Sequence, residues 1–258
     1  MTYQLIDSGE GQKLEQFGSY LLQRPCGQAL WKKQHSDQWK PDACFTRDDK
    51  WSGKLPTSWT IEHCGLQFLL KPTDFGHLGI FPEHAEHWGW MQGLIDEQTS
   101  VLNLFAYSGG ATLACAQAGA KVCHLDAAQG MVDWARENAA LNNLEDKPIR
   151  WIVDDAMKFL KREVKRGRCY DGIILDPPTF GRGKQGQVFK IEDDLPLLLE
   201  LCHQLLSDQP KFMLLSCHTP GITPLALHHL LGEGEYGEMT LPGSRPVPSG
   251  SYARVAYA

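Results

Sequence analysis

Short apolar runs punctuate the last two thirds of the chain, at 101–105 (VLNLF), 121–125 (KVCHL), 149–153 (IRWIV), 171–175 (DGIIL) and 211–215 (KFMLL). Runs this short and mostly apolar mark strands buried on both faces. Stretches with helical spacing separate them. Residues 111–118 are small and helix-prone, and Gly119 ends them, as a glycine past the last turn does. Residues 131–141 carry Val132, Ala135 and Ala139 on one side. Further helices are expected from Ala156, over 192–206 and over 224–231, and two last strands near 237–241 and 252–257. This alternation predicts an α/β fold: a doubly wound, Rossmann-like sheet of seven mostly parallel strands with helices on both faces. Right-handed crossovers bring the C-terminal tips of the parallel strands to one edge.

Residues 1–72 follow another pattern. Apolar stretches at 20–22, 29–31, 59–61 and 66–70 alternate with turn-rich polar segments, which predicts a small β-rich subdomain before a main domain over 73–258. The clearest strand is 66–70. Segment 32–56, poor in aliphatics and rich in charge, reads as a surface loop or a pair of edge strands. Beyond it, Pro82 suits a first helical turn. Trp88, Met91 and Ile95, spaced three and four apart, predict a helix over 84–95 packed on the sheet. Phe81, Glu83 and His84 stand at its start, where they could meet a cofactor.

The chain has 258 residues, 42% of them hydrophobic, enough for one large α/β domain and a small appendage. No apolar run reaches the roughly 20 residues of a membrane span, and the N-terminus lacks the basic-then-apolar layout of a secretory signal. The eight cysteines form no C-x-x-C pair. Cys115, Cys123 and Cys202 fall in apolar segments and read as small core residues. A reduced, cytoplasmic protein is expected, with no metal ion and no membrane partner. The net charge of −6 argues against strong non-specific nucleic-acid binding, though not against a local basic face.

Within this frame, 101–126 is a βαβ unit. Its first turn, Tyr107-Ser108-Gly109-Gly110, lets a ligand approach the backbone closely. Asp126 ends the second strand, where an acid can accept from both hydroxyls of a ribose. Phe105, Tyr107, Ser108, Gly109, Asp126 and Ala127 therefore form a candidate nucleoside-cofactor site. Neither G-x-G-x-x-G nor a P-loop stands at this turn, which suits a cofactor without phosphate. Asp154, Asp155 and Asp176 follow later strands on the same edge. Either of the first two could face a ligand, Asp155 being preferred and Asp154 the candidate helix cap. In Asp176-Pro177-Pro178 two prolines fix the turn and leave carbonyls free, a shape that could grip a planar base. Phe180 could stack on that base or fill the core. Cys217, among Ser216, His218 and Thr219 at the fifth strand's tip, is either a thiolate nucleophile or a small residue closing the strand. Lys158, Lys161, Arg162, Lys165 and Arg166 share one helix face, read as a solvated face. Arg182, Lys184 and Lys190 follow the Asp-Pro-Pro tip, on the edge where they could meet phosphates.

The stretches Val101 to Gly110, Leu125-Asp126, Ala135 to Asn138, Asp154-Asp155, Leu175 to Pro178, Lys190 and Ser216-Cys217 together resemble the large-subunit ribosomal RNA methyltransferase-like group of class I S-adenosylmethionine-dependent methyltransferases. Its best-known members look like 23S rRNA cytosine-C5 methyltransferases. The resemblance implies S-adenosyl-L-methionine as cofactor and RNA, ribosomal in the first instance, as substrate. It also implies Asp126 on the ribose, and Asp155 with a backbone N–H at Ala156 on the adenine. Asp176 would lie near cofactor and base, Pro177, Pro178, Phe180 and Lys190 on the substrate side. Cys217 would add to C6 of cytosine so that C5 can attack the methyl group. The chain departs from the group at three points. Glu83 stands where the group carries glutamine, with no evident arginine beside it; Thr179 stands for lysine and His218 for serine. The RNA-binding module of the PUA type that often precedes the β element is expected to be missing. Three other readings stay open. One is an exocyclic-amine methyltransferase, since Asp-Pro-Pro-Thr-Phe resembles its acid-Pro-Pro-aromatic motif with one residue inserted. The others are a dinucleotide oxidoreductase and a non-catalytic cofactor-binding module.

Overall fold

The computed structural model of the chain describes residues 2–46, 48, 50–182 and 188–257. They fall into two units, Met1–Ala85 with Thr240–Ser249, and Glu86–Met239 with Gly250–Ala258.

In the first unit, β1 (Tyr3–Gly9), β2 (Gln12–Phe17), β3 (Tyr20–Pro25), β4 (Ala43–Thr46) and β5 (Lys50–Gly53) form one sheet in that order. β6 (Trp59–His63) and β7 (Leu66–Leu70) form a separate antiparallel hairpin. The first two strands escaped the apolar pattern because they are largely polar. Their inward positions are Tyr3, Leu5, Leu14 and Phe17, and the buried Glu15 among them is charged. Arg24 grips Glu15 through Nε at 2.7 Å and Nη2 at 2.8 Å, Lys13 Nζ lies at 3.1 Å, and Tyr3 Oη donates to it at 3.1 Å. Burial alone would raise the Glu15 carboxyl, but Arg24 and Lys13 hold it down to about 2. Segment 32–56 holds both of its expected alternatives, a long loop with one short 3₁₀ turn, Ser36–Gln38, and then two strands, of which β5 lies at the sheet edge and β4 inside, between β3 and β5. A second 3₁₀ turn, Pro82–His84, closes this unit.

The second unit begins with α1 (Ala85–Gln92), which stops short of the expected end at 95 because Gly93 follows. Then come β8 (Ser100–Leu104), α2 (Gly110–Gln117), β9 (Lys121–Asp126), α3 (Gln129–Leu141), β10 (Ile149–Val153), α4 (Ala156–Lys165), β11 (Gly172–Leu175), β12 (Phe180–Arg182), β13 (Val188–Lys190), α5 (Ile191–His203), β14 (Phe212–Cys217), α6 (Pro224–Leu231), β15 (Glu235–Leu241) and β16 (Val247–Ala256). The main sheet runs β10-β9-β8-β11-β14-β16-β15. Its first five strands are parallel and β16 is antiparallel to β14, the seven-stranded, mostly parallel arrangement expected. On one face Leu104, Leu125, Leu175 and Leu215 pack against Phe159 and Leu160 of α4, Leu195, Leu198 and Leu199 of α5, and Leu227 of α6. α2 and α3 pack on one another and on β9. The strand order reverses between β8 and β11, and the crevice at such a reversal is where sheets of this kind hold ligands. Among the described residues no helix is long and apolar enough to cross a membrane.

Candidate active site

The β8–α2 turn is wound more tightly than its glycines imply. Phe105 has φ 57°, Tyr107 φ 51° and Gly109 φ 95°. Left-handed backbone at two aromatic residues is rare and costs energy, so the surrounding structure must hold it. Tyr107 N donates to Asp126 Oδ2 at 3.0 Å, Ala106 N to Leu125 O at 3.0 Å, and Asn138 Nδ2 to the buried Ser108 carbonyl at 2.9 Å. The Phe105 ring meets Phe189 at 5.5 Å, and Tyr107 meets Trp134 at 5.9 Å. Periodicity could not show these supports, because they depend on backbone conformation and on residues of α3 and β13.

The two glycines serve the protein's own packing. A Cβ on Gly109 would lie 3.1 Å from Ala135 Cβ, and one on Gly110 only 2.7 Å from Trp88 Cζ2. Behind the turn runs a buried polar chain: Asn103 Nδ2 donates to Thr112 Oγ1 at 2.9 Å, and Thr112 Oγ1 bonds His124 Nδ1 at 2.9 Å. Burial, with Arg136 nearby, pushes the His124 imidazole down to about 3.

Asp126 is the centre of the candidate cofactor site. Its Oδ1 accepts from Ala128 N at 2.9 Å and its Oδ2 from Tyr107 N. Burial raises its carboxyl above the ordinary range although backbone N–H groups pull the other way. A carboxylate has about four acceptor sites, so both oxygens can still accept from ligand hydroxyls. Ala127 beside it is exposed. At the next tip, Asp155 accepts from Lys158 N through Oδ1 at 2.9 Å and so caps α4. The cap expected at Asp154 is thus made by Asp155. Asp154 instead takes Asp155 N at 2.8 Å and an ion pair with Arg162. Ala156 is buried in the first turn of α4.

Across the strand-order reversal, Asp176 leaves β11 half-buried, Pro177 is buried, and Pro178, Thr179 and Phe180 are exposed. Ser216 Oγ donates to Asp176 Oδ1 at 2.7 Å, and His218 Nε2 stands 3.8 Å from the same oxygen. Thr179 and Thr219 bond through their hydroxyls at 2.8 Å. These contacts arise because β11 and β14 pair in register, Leu175 beside Leu215.

Cys217 is less exposed than its polar sequence neighbours suggest, although Thr219 bonds its Sγ and the Asp176 charge acts on it. Its side chain is 1% exposed, in the apolar cluster with Leu215, Leu227 and Ala253. Burial raises the thiol, though Thr219 N donates to Sγ at 3.4 Å. Phe180 is 49% exposed and pairs with Lys190 in the β12–β13 ladder. Lys190 Nζ approaches Asp193 at 3.7 Å. Lys184 lies outside the described residues. On the α4 face Arg162 and Arg166 pair with Asp154 and Glu163. The other two expected residues belong to the first unit. The Phe81 ring meets those of His77 and His84 edge-on, and Glu83 is buried, accepting from Ser249 Oγ at 2.6 Å.

The donor set fits an adenosyl cofactor without phosphate. The turn from 105 to 110 carries no lysine or arginine. Its polar focus is an anionic acceptor, suited to hydroxyl and amine donors.

Residues 26–233 match the model of a family described as S-adenosylmethionine-dependent methyltransferase. The solved SAM-dependent methyltransferase from Agrobacterium tumefaciens is 38% identical, with a TM-score of 0.92 over 98% of this chain and 90% of that one. A protein described as a methyltransferase and complexed with SAH shares the fold at 18% identity, with a TM-score of 0.78 over 97% and 75% of the two chains. Among curated proteins, the "Ribosomal RNA large subunit methyltransferase K/L" of Syntrophotalea carbinolica is 34% identical over 54% of this chain and 19% of its own length. That of Hahella chejuensis is 34% identical over 57% and 20%. The matched part is thus about a fifth of these relatives.

Proposed function

The chain belongs to the S-adenosylmethionine-dependent methyltransferases, and from that premise we propose that it methylates a nitrogen of a base in RNA. The RNA half of the reading is supported by the likeness to ribosomal RNA methyltransferases. The nitrogen half rests on one observation. The Asp176 carboxylate is fixed at the strand tip by Ser216, beside a rigid Pro-Pro turn, whereas the only thiol at that tip is buried in the core.

When bound, S-adenosylmethionine supplies an electrophilic methyl group. Asp126 would hold its ribose, Asp155 and the Ala156 N–H its adenine, and Phe105, Tyr107, Ser108, Gly109 and Ala127 would line it. Asp176 and the Pro177 carbonyl would accept from an exocyclic amine, aiming the nitrogen lone pair and increasing its electron density. As the carbon–nitrogen bond forms the carbon–sulfur bond breaks, and the proton released from the nitrogen would pass to the Asp176 carboxylate and on to water. Phe180 would stack on the base and Lys190 would meet a phosphate. A carbon target is the second reading, through addition of Cys217 to C6 of cytosine. It needs an accessible thiolate, and a buried thiol with a raised pKa is a poor source of one.

Mass spectrometry of modified nucleosides, in ribosomal RNA from cells with and without the protein, tests both. An N-methylated base lost with the protein supports the proposal. A lost 5-methylcytidine would replace it with the carbon route, and an unchanged profile would refute the ribosomal target.

A further inference from the structure

On the reading that S-adenosylmethionine lies against the β8–α2 turn, we propose that Phe189 is a positioning residue for that cofactor. It belongs to the hairpin that carries Phe180 and Lys190, and through Phe105 it holds the turn in its strained conformation. β12 and β13 pair directly behind Asp176-Pro177-Pro178-Thr179, with Phe180 opposite Lys190 and Gly181 opposite Phe189. Residues directly opposite one another share a face, and successive residues alternate. The hairpin is therefore two-faced. Phe180, Val188 and Lys190 are exposed on one side. Phe189 stands on the other, half-buried against the apolar cluster that includes Leu104, Leu125 and Leu195. A Cβ on Gly181 would lie 3.7 Å from both Phe189 Cβ and Pro178 Cγ, so this inward face also rests on the second proline of the Asp-Pro-Pro tip.

Phe189 meets the turn at the residue whose backbone is strained. Its ring centre lies 5.5 Å from that of Phe105, with the planes tilted by 51°, within the range of a favourable aromatic pair. Among the described residues no other ring stands against Phe105. Phe105 has φ 57°, a left-handed conformation that is costly for a residue with a Cβ. This bend sets the next two amides. Ala106 N donates to Leu125 O at 3.0 Å, and Tyr107 N to Asp126 Oδ2 at 3.0 Å. The path from the hairpin to the acid that would hold the ribose is therefore short: Phe189 on Phe105, then Tyr107 N on Asp126. Loss of the Phe189 ring removes one of the contacts that offset the cost of the bend. A two-stranded hairpin is also marginal by itself, so the same contact could serve only to anchor β12 and β13. That alternative leaves the turn untouched, and the two differ in what happens at the Tyr107 amide.

The test uses the full chain, calorimetric titration with S-adenosylhomocysteine, and hydrogen exchange of single backbone amides followed by NMR. Phe189→Ala should raise the Kd for S-adenosylhomocysteine roughly 3- to 10-fold, the range to which an aromatic pair corresponds. Exchange of the Ala106 and Tyr107 amides should quicken by a similar factor, and that of Met213 and Leu214, inside β14, by less than about twofold. Phe189→Leu, which keeps an apolar side chain on Phe105, should recover most of the affinity. In a Phe105→Gly background the left-handed bend needs no support, so adding Phe189→Ala should change the Kd by less than about twofold. Where Phe105→Gly alone abolishes binding, exchange at Tyr107 in the single and double variants makes the same comparison. A wild-type Kd in Phe189→Ala, or wild-type exchange at Tyr107, reduces Phe189 to an anchor of its own hairpin and overturns the proposal. Equal quickening at Met213 and Leu214 marks a global loosening and overturns it too. So does a full rise in Kd that persists beside Phe105→Gly, which marks a direct contact with the cofactor. An unchanged Kd in Asp126→Asn instead overturns the placement of the cofactor at this turn, and the role of Phe189 with it.

Discussion

Replacing Asp126 by asparagine tests the cofactor site at its most informative atom pair. The side chain keeps its size, but one acceptor oxygen becomes an amide donor. In the native site both oxygens accept backbone N–H groups, from Ala128 and Tyr107. The variant therefore leaves one of these N–H groups facing another donor, and ribose hydroxyls lose a charged acceptor. Losing one charge-assisted bond costs about 1.5–3 kcal/mol, so the Kd for S-adenosylhomocysteine should rise roughly 10- to 150-fold. A second signature concerns pH. Burial raises the free Asp126 carboxyl above the ordinary range, and hydroxyl donors favour its ionised form. Cofactor binding should thus lower this pKa. Affinity should be constant above the free-state pKa and fall as pH drops through it, by at most tenfold per unit. The asparagine variant has no such group to titrate, so its profile should be flat. Calorimetric titrations with S-adenosylhomocysteine from pH 8 to pH 4.5 read both effects. Parallel pH profiles for the two proteins, or an unchanged Kd at pH 8, would refute the assignment of Asp126.

Asp176→Asn should abolish methyl transfer while changing S-adenosylhomocysteine affinity less than threefold; full turnover in this variant would make the Asp-Pro-Pro tip structural. The Glu15 carboxyl, held at about 2 against an ordinary 4.5, contributes stability fully present above pH 4.5 and lost as pH falls toward 2. About 3 kcal/mol should vanish over that window in urea melts. Glu15→Gln should remove that pH dependence and, by stranding buried Arg24, cost about 3–5 kcal/mol at pH 7. Cys217→Ser should leave transfer to a nitrogen nearly unchanged and lower stability by about 1 kcal/mol or more, as a hydroxyl enters an apolar cluster; RNA carrying 5-fluorocytidine should form no adduct that survives a denaturing gel.

The parallel core of the second unit was legible because five short apolar runs alternate with helical spacing, and chirality leaves few ways to connect them. β1 and β2 were not legible. Their pairing is fixed by long-range partners, Arg24 on Glu15 and Tyr3 on Phe17, and their polar positions hide the inward face. Within the candidate site, Asp126 and Asp176 could be placed at the tips of β9 and β11 from chain position alone. The role of Asp155 as helix cap could not, because Asp154-Asp155 offers two adjacent candidates and only backbone geometry separates them. The strain at Phe105 and Tyr107 was equally hidden, since neither residue favours the left-handed region. The neighbouring glycines drew attention to this turn for an incomplete reason: Gly110 makes room for Trp88.

The proposed preference for nitrogen over carbon chemistry rests on one step of strand register. β14 lies beside β11 so that Leu215 faces Leu175, and the next residues, Ser216 and Asp176, meet through a 2.7 Å hydrogen bond. Successive side chains on a strand point to opposite faces. Ser216 on the Asp176 side therefore sends Cys217 to the other side, where Leu227 of α6 and Ala253 of β16 close over it. A shift of one residue would reverse the pair, placing the thiol beside the acid and the hydroxyl in the core. The adjacency of Ser216, Cys217 and His218 in sequence conceals this alternation and makes the thiol look like part of a polar cluster. What the tip does offer is an anchored acceptor and a proline-stiffened backbone. Both would aim an amine directly, whereas a pyrimidine carbon would need, beyond a base held in place, a thiolate free to add to the ring.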